Sequence, residues 1–343
     1  MKQFGEKVKA MKIMVFGVPA EKGGALSVLY EFYNEFKFDQ KNEYIFILSL
    51  PELKETSNIK VLRFPWIKKS WGHRLYFENF FAPNLIKKYK IDRVLSLQNI
   101  IIPHTKVYQS LVVQNALPFS KYRFSYIENK LLWVYQNIIG RIIMYSIKKA
   151  DHVIVQTNWM KKKCIKKLLI TDKKIEVKQP KINFEVKKPF QKNKQSLSTF
   201  FYPASGIIFK NHKIIVDACL ILKKEGFTDY TVLFTLEGNE NKHIAELNKI
   251  IMGNNLPVKF IGTISREKVF DYYSKSVLIF PSYIETFGLP LLEAKMHNSP
   301  ILASDCDFSH EILDTYNKVD FFDPFNSNKL CYLIKKIYQE LIS

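Results

Sequence analysis

The chain has 343 residues, enough for two hydrophobic cores, and 47% of them are apolar, which excludes a disordered chain. Its 52 Lys and Arg against 32 Asp and Glu leave a formal charge of +20. That favours anionic partners such as phosphates, nucleic acid or an acidic membrane, with a lysine-rich solvated surface as a partial cause. Cys164, Cys219, Cys306 and Cys331 are scattered, as are the histidines, with no CxxC, HxxxH or HExxH spacing. A disulfide framework and a metal site are therefore not expected, and reduced thiols suit a cytoplasmic compartment.

In chain order, short apolar runs alternate with longer amphipathic stretches. Lys12–Gly17, Tyr44–Leu50, Ile59–Phe64, Arg93–Leu97, Val107–Val113 and His152–Gln156 read as strands. Between them, Ala25–Phe36, Arg74–Lys90, Glu128–Lys149 and Trp159–Leu169 read as helices. Ile13–Val18 is too short for the apolar region of a signal peptide. Leu131–Ile147 is interrupted by Gln136, Asn137 and Arg141 and falls short of a membrane span, so a soluble or peripheral protein is expected.

The pattern resets over Lys178–Lys194, rich in Lys, Pro and Gln, which reads as a linker. Beyond it, Thr199–Tyr202, Tyr230–Leu236, Lys259–Ile261, Val277–Phe280 and Ile301–Ser304 read as strands. Asn211–Lys224, the segment capped by Ser265, Pro290–His297 and Asn328–Ile342 read as helices. Two such series imply an α/β protein of two Rossmann-like, doubly wound domains facing across a cleft, over 1–185 and 186–343. In open parallel sheets ligands lie beyond the carboxyl ends of the strands, so the loops after the strands hold the candidate residues.

The most informative loop follows Val277–Phe280 and runs Pro281-Ser282-Tyr283-Ile284-Glu285-Thr286-Phe287-Gly288-Leu289-Pro290 into a helix carrying Glu293. A proline at a helix start loses no hydrogen bond, and the free N–H groups there suit a phosphate or polar sugar. Glu293 by itself reads equally as a complement to the helix dipole, and Glu285 as an exposed loop carboxylate. Two further loops draw attention. Phe201–His212 carries Ser205 and Lys210 after a strand, and Gly17–Ala25 carries the pair Gly23-Gly24, whose backbone can approach a phosphate closely or simply turn.

The stretch PSYIETFGLPLLEA resembles the E-x7-E signature of retaining GT-B glycosyltransferases, in the large family usually numbered four, and the likeness extends over roughly 199–333. The resemblance implies transfer of a hexosyl unit from a UDP- or GDP-sugar to a glycan or lipid-linked acceptor in polysaccharide or lipopolysaccharide assembly. It implies that Glu285 stabilises positive charge at the anomeric carbon and that Lys210 neutralises the departing diphosphate. Glu293 would bind the ribose, backbone of Thr286, Phe287, Gly288 and Leu289 the sugar and diphosphate, and the loop of Thr263 the nucleobase. Gly23 and Gly24 would match the family's glycine loop, and Ser205 would lie by the donor. No metal and no cofactor are expected, the nucleotide-sugar being a substrate.

The sequence departs from the family at three places. Ala204 and Ser205 stand where an arginine is expected, and Gln114-Asn115 where many relatives carry His-Asp. The chain ends at Ser343, soon after the last helix, where relatives have a crossover helix, so that crossover is expected to be short or truncated. Trp159–Leu169, with Lys161, Lys162, Lys163, Lys166 and Lys167, and the helix Glu128–Lys149 suit an anionic leaflet, although lysines in water above a packed helix read the same way. Two other readings stay open: an epimerase or phosphorylase on the same scaffold, and a basic nucleic-acid binder, for which no recognition motif is present.

Overall fold

The structure is a computed structural model, and it describes residues 10–21, 23–180 and 185–339. Lys22, residues 181–184 of the expected linker, and the tail of the last expected helix lie outside the described residues. The chain divides into two compact units, Met1–Ile182 and Asn183–Ser343. Each is a parallel α/β unit.

In the first unit, β1 (Lys12–Phe16), β2 (Glu43–Leu48), β3 (Ile59–Arg63), β4 (Arg93–Ser96), β5 (Tyr108–Val113), β6 (His152–Val155) and β7 (Ile175–Val177) form one parallel sheet. Its order is β3-β2-β1-β4-β5-β6-β7. Alternation along β1 explains why both faces are covered. Val15 packs with Phe46 and Leu48 beneath Leu29 and Phe32 of the helix Gly23–Lys37, while Met14 and Phe16 join Ile45, Ile47 and Phe77 on the other face. Burying such a side chain contributes roughly 1.5–3 kcal/mol. The predicted strands appear within a residue or two of their expected limits. The sequence reading missed β7, whose three residues give no usable alternation.

In the second unit, β8 (Thr199–Tyr202), β9 (Thr231–Phe234), β10 (Val258–Phe260), β11 (Val277–Phe280), β12 (Ile301–Ser304) and β13 (Val319–Phe322) are ordered β10-β9-β8-β11-β12-β13. All four side chains of β11 are buried, the signature of a strand covered on both faces. The helix His212–Lys224 ends at Gly226, which takes φ +76°, and packs against Ser327–Gln339. The helix Lys242–Gly253, capped by Asn241, was not predicted; β13 was not predicted either. In both units the chain winds one way from the first strand and then the other. The reversal falls between β1 and β4 in the first unit and between β8 and β11 in the second.

Candidate active site of the second unit

The switch falls between β8 and β11, the position at which open parallel sheets hold their ligands, and it brings together the loops that carry Lys210 and Glu285. The Lys210 ammonium and the Glu285 carboxylate form an ion pair, both side chains mostly buried. Their loops are fastened to each other. The backbone N–H of Tyr283 donates to the Phe209 carbonyl at 3.2 Å, and the Ser282 hydroxyl donates to the same carbonyl at 3.3 Å. Asn211 adopts φ +61° at the cap of the helix His212–Lys224, and its amide donates to the carbonyls of Pro281 at 3.4 Å and Pro324 at 2.7 Å. Tyr202, at the end of β8, donates its hydroxyl to the Lys210 carbonyl at 2.6 Å. The cation and the carboxylate are thus held by backbone fixed on both sides rather than by two free side chains.

Gly288 caps the helix Leu289–Met296 with φ +93°, a left-handed conformation that an L side chain adopts only under strain. Pro290 follows in its first turn. Phe287 is buried, so its side chain faces the core and is not presented to a ligand. Thr286 and Leu289 are part-buried beside it.

Glu293 lies past the first turn and is 7% exposed, which sets aside the dipole-complement reading. Its Oε1 accepts from the Arg266 guanidinium at 2.9 Å and its Oε2 from the Tyr273 hydroxyl at 3.1 Å. Burial raises the Glu293 pKa, and Arg266 and Tyr273 pull it back. The Tyr273 phenol is pushed far up by burial beside that carboxylate and stays a donor. A carboxylate has about four acceptor positions. Two are taken here, leaving others for hydroxyl donors.

The remaining predicted residues fall as follows. Ser205 is exposed in the β8 loop, beside Gly206, where an added Cβ would meet Ile244 Cγ1 at 2.7 Å. Thr263 is exposed after β10 and donates its N–H to Glu237 Oε1 at 3.3 Å, next to Gly262 at φ +70°. Gly23 and Gly24 belong to the first unit. They form the start of the helix Gly23–Lys37 rather than a free loop, with open space where a Cβ would stand. Sequence reasoning missed Arg266, Tyr273, Tyr202 and Asn211. The available signal for Arg266 was its place directly after the Ser265 cap, beside the loop already singled out; the tyrosines carried none. The arginine expected near residues 204–205 is absent there, and the guanidinium at Glu293 comes from the β10 side instead. Among the described residues no three His, Cys, Asp or Glu side chains are grouped as metal ligands, and all four cysteines are free.

Comparison with known proteins agrees with this layout. Residues 184–340 match the family described as glycosyl transferases group 1. Over 208 residues the chain is 26% identical to the O-antigen chain mannosyltransferase RfbU of Salmonella typhimurium, a stretch covering 58% of this chain and 54% of that protein. The match thus spans about half the length of that relative. Among solved structures, sucrose-phosphate synthase from Thermosynechococcus elongatus superposes with a TM-score of 0.70 at 15% identity, over 97% of this chain and 90% of that one. Anabaena Alr3699/HepE in complex with UDP-glucose superposes with 0.68 at 13% identity, over 96% and 90%. The two parallel α/β units have the GT-B fold. The family match lies wholly within the second unit.

Proposed function

We propose that this protein is a retaining, metal-independent glycosyltransferase. It moves a hexosyl unit from a UDP- or GDP-sugar to a glycan or lipid-linked acceptor in cell-surface polysaccharide or lipopolysaccharide biosynthesis. The observation that carries the reading is the Lys210–Glu285 pair at the switch point, one helix turn and a glycine cap away from the buried Glu293. A cation beside a carboxylate suits a reaction in which a diphosphate departs while positive charge grows on the anomeric carbon. Lys210 and the N-terminus of the helix Leu289–Met296 would hold the diphosphate, Glu285 the developing oxocarbenium ion, and Glu293 the ribose hydroxyls. The acceptor hydroxyl attacks from the face the diphosphate leaves, and a phosphate oxygen takes its proton, so no protein base is required.

The similarity to a mannosyltransferase makes GDP-mannose the first donor to try, and the likeness to the UDP-glucose-bound structure makes UDP-glucose the second. The protein would work at the cytoplasmic face of the plasma membrane, on an anionic leaflet, without binding nucleic acid. A panel of radiolabelled UDP-, GDP- and ADP-sugars, scored for binding and slow hydrolysis with and without EDTA, tests the reading. One donor should be hydrolysed at the same rate in EDTA. Failure of every donor to bind would overturn the proposal, and loss of the rate in EDTA would overturn metal independence.

A further inference from the structure

The helical stretch over 130–149 carries two apolar faces, and its own unit uses one. Leu132, Ile143 and Ile147 turn inward and are buried. On a separate face Ile138, Ile142 and Tyr145 recur at the spacing of a single helical stripe and are exposed, Tyr145 by 58%; Leu131, 60% exposed, precedes the π-helical turn Tyr135–Ile139, which shifts the register. Trp71 meets Tyr135 of this stretch edge-on, with ring centroids 6.1 Å apart. That contact joins the stripe to exposed Trp71 and Leu75 on the helix Trp71–Tyr76. At the turn ahead of the stripe stands Ile127, 98% exposed. Exposed apolar side chains gathered on neighbouring segments in this way mark a place that something covers.

Charge selects the occupant. Lys69, Lys121, Arg123, Arg141 and Lys148 are exposed on or next to these segments, while Lys68 is paired with Glu21 at 2.9 Å. The acids within 65–80 and 121–149 are Glu78, buried against Arg74, and Glu128, which accepts from the Tyr122 hydroxyl. We infer that this face docks on an anionic lipid bilayer, with Ile127 and the stripe entering the boundary between headgroups and acyl chains and the flanking cations meeting lipid phosphates. A second copy of the chain is a poor occupant, because pairing two such faces brings two sets of cations together. The more lysine-rich helix, Asn158–Leu168, offers no comparable face: its Met160, Cys164 and Leu168 are buried in its own unit. The assignment deepens the peripheral-membrane part of the proposed function and rests on it for the identity of the bilayer.

Flotation of the full chain with phosphatidylcholine vesicles, with and without phosphatidylglycerol, tests it. Ile138→Ser/Ile142→Ser should lower the fraction bound to anionic vesicles at least about tenfold, with Ile127→Asp moving the same way from outside the helix. Lys162→Glu/Lys166→Glu, on the helix Asn158–Leu168, should lower it less than about threefold. Equal losses in the isoleucine and lysine variants would mean charge alone, and equal wild-type binding to neutral vesicles would remove the anionic requirement. Unchanged flotation of Ile138→Ser/Ile142→Ser together with a dimer-to-monomer shift on size exclusion would make the face a contact between copies. Each of these three results overturns the inference. Donor hydrolysis without vesicles should stay at the wild-type rate in all these variants, so a failure of docking is told apart from a failure of the glycosyltransferase reading.

Discussion

Lys210 and Glu285 are 75 residues apart in sequence and meet only because β8 and β11 are neighbours. If they act together on one departing diphosphate and one developing cation, Lys210→Ala and Glu285→Gln should each lower kcat by about 100- to 1,000-fold. The double variant should lose far less than the product of the two, since each single change already disables the pair. Steady-state kinetics with the identified donor measures this, and fully multiplicative losses would separate the two roles. In the proposed mechanism Glu293 acts in binding. Glu293→Ala should weaken nucleoside diphosphate binding by about 10- to 100-fold while slowing turnover of bound donor much less.

The same carboxylate gives a pH prediction. Burial raises the Glu293 pKa, and Arg266 is the largest influence opposing it. Donor affinity should fall as pH drops through that raised value, because a protonated carboxyl loses acceptor capacity. Arg266→Ala removes the opposing charge, so its loss of affinity should begin at a higher pH than in the wild type. Titration calorimetry across the acid range decides it; coincident profiles would show that Glu293 does not control binding.

At the scale of elements, the short helix Leu289–Met296 depends on how it begins. Gly288 holds φ +93°, and an added Cβ would stand 3.2 Å from Leu291 Cδ1. Gly288→Ala should therefore destabilise the second unit by about 1–3 kcal/mol. It should also impair donor binding by tilting the free N–H groups. Urea unfolding alongside the binding assay checks both, and an unstrained, fully active variant would remove the cap from the site. The proline, the glycine and both glutamates were legible in order along the sequence. Their burial was not. By itself Glu293 read equally as a complement to the helix dipole, until Arg266 and Tyr273, brought over by the neighbouring helix, showed it enclosed.

At the scale of the whole molecule, one buried histidine ties stability to pH. His212 packs between Tyr202 and Phe234, and neither ring nitrogen has a hydrogen-bond partner. Burial, with smaller contributions from His243 and Lys210, lowers its pKa to about 3 from the ordinary histidine value of 6.5. The unfolded chain therefore binds a proton that the folded one refuses between those values. The His212 contribution to stability is intact above pH 6.5 and falls as pH drops toward 3, by about 1.4 kcal/mol per unit. His212→Phe should flatten that part of the profile in urea unfolding across mildly acid pH, and an unaltered slope would assign the acid sensitivity elsewhere.

The sequence by itself determined every strand but β7 and β13, their doubly wound grouping and the loop holding Glu285 and Glu293, because these rest on alternation, caps and spacing within one stretch of chain. Tertiary structure alone decided which cation reaches which carboxylate, that the glycine pair opens a helix, and which of two apolar helical faces is left uncovered. Each of these depends on strand order and on burial by residues far away in the chain, and no local pattern encodes either.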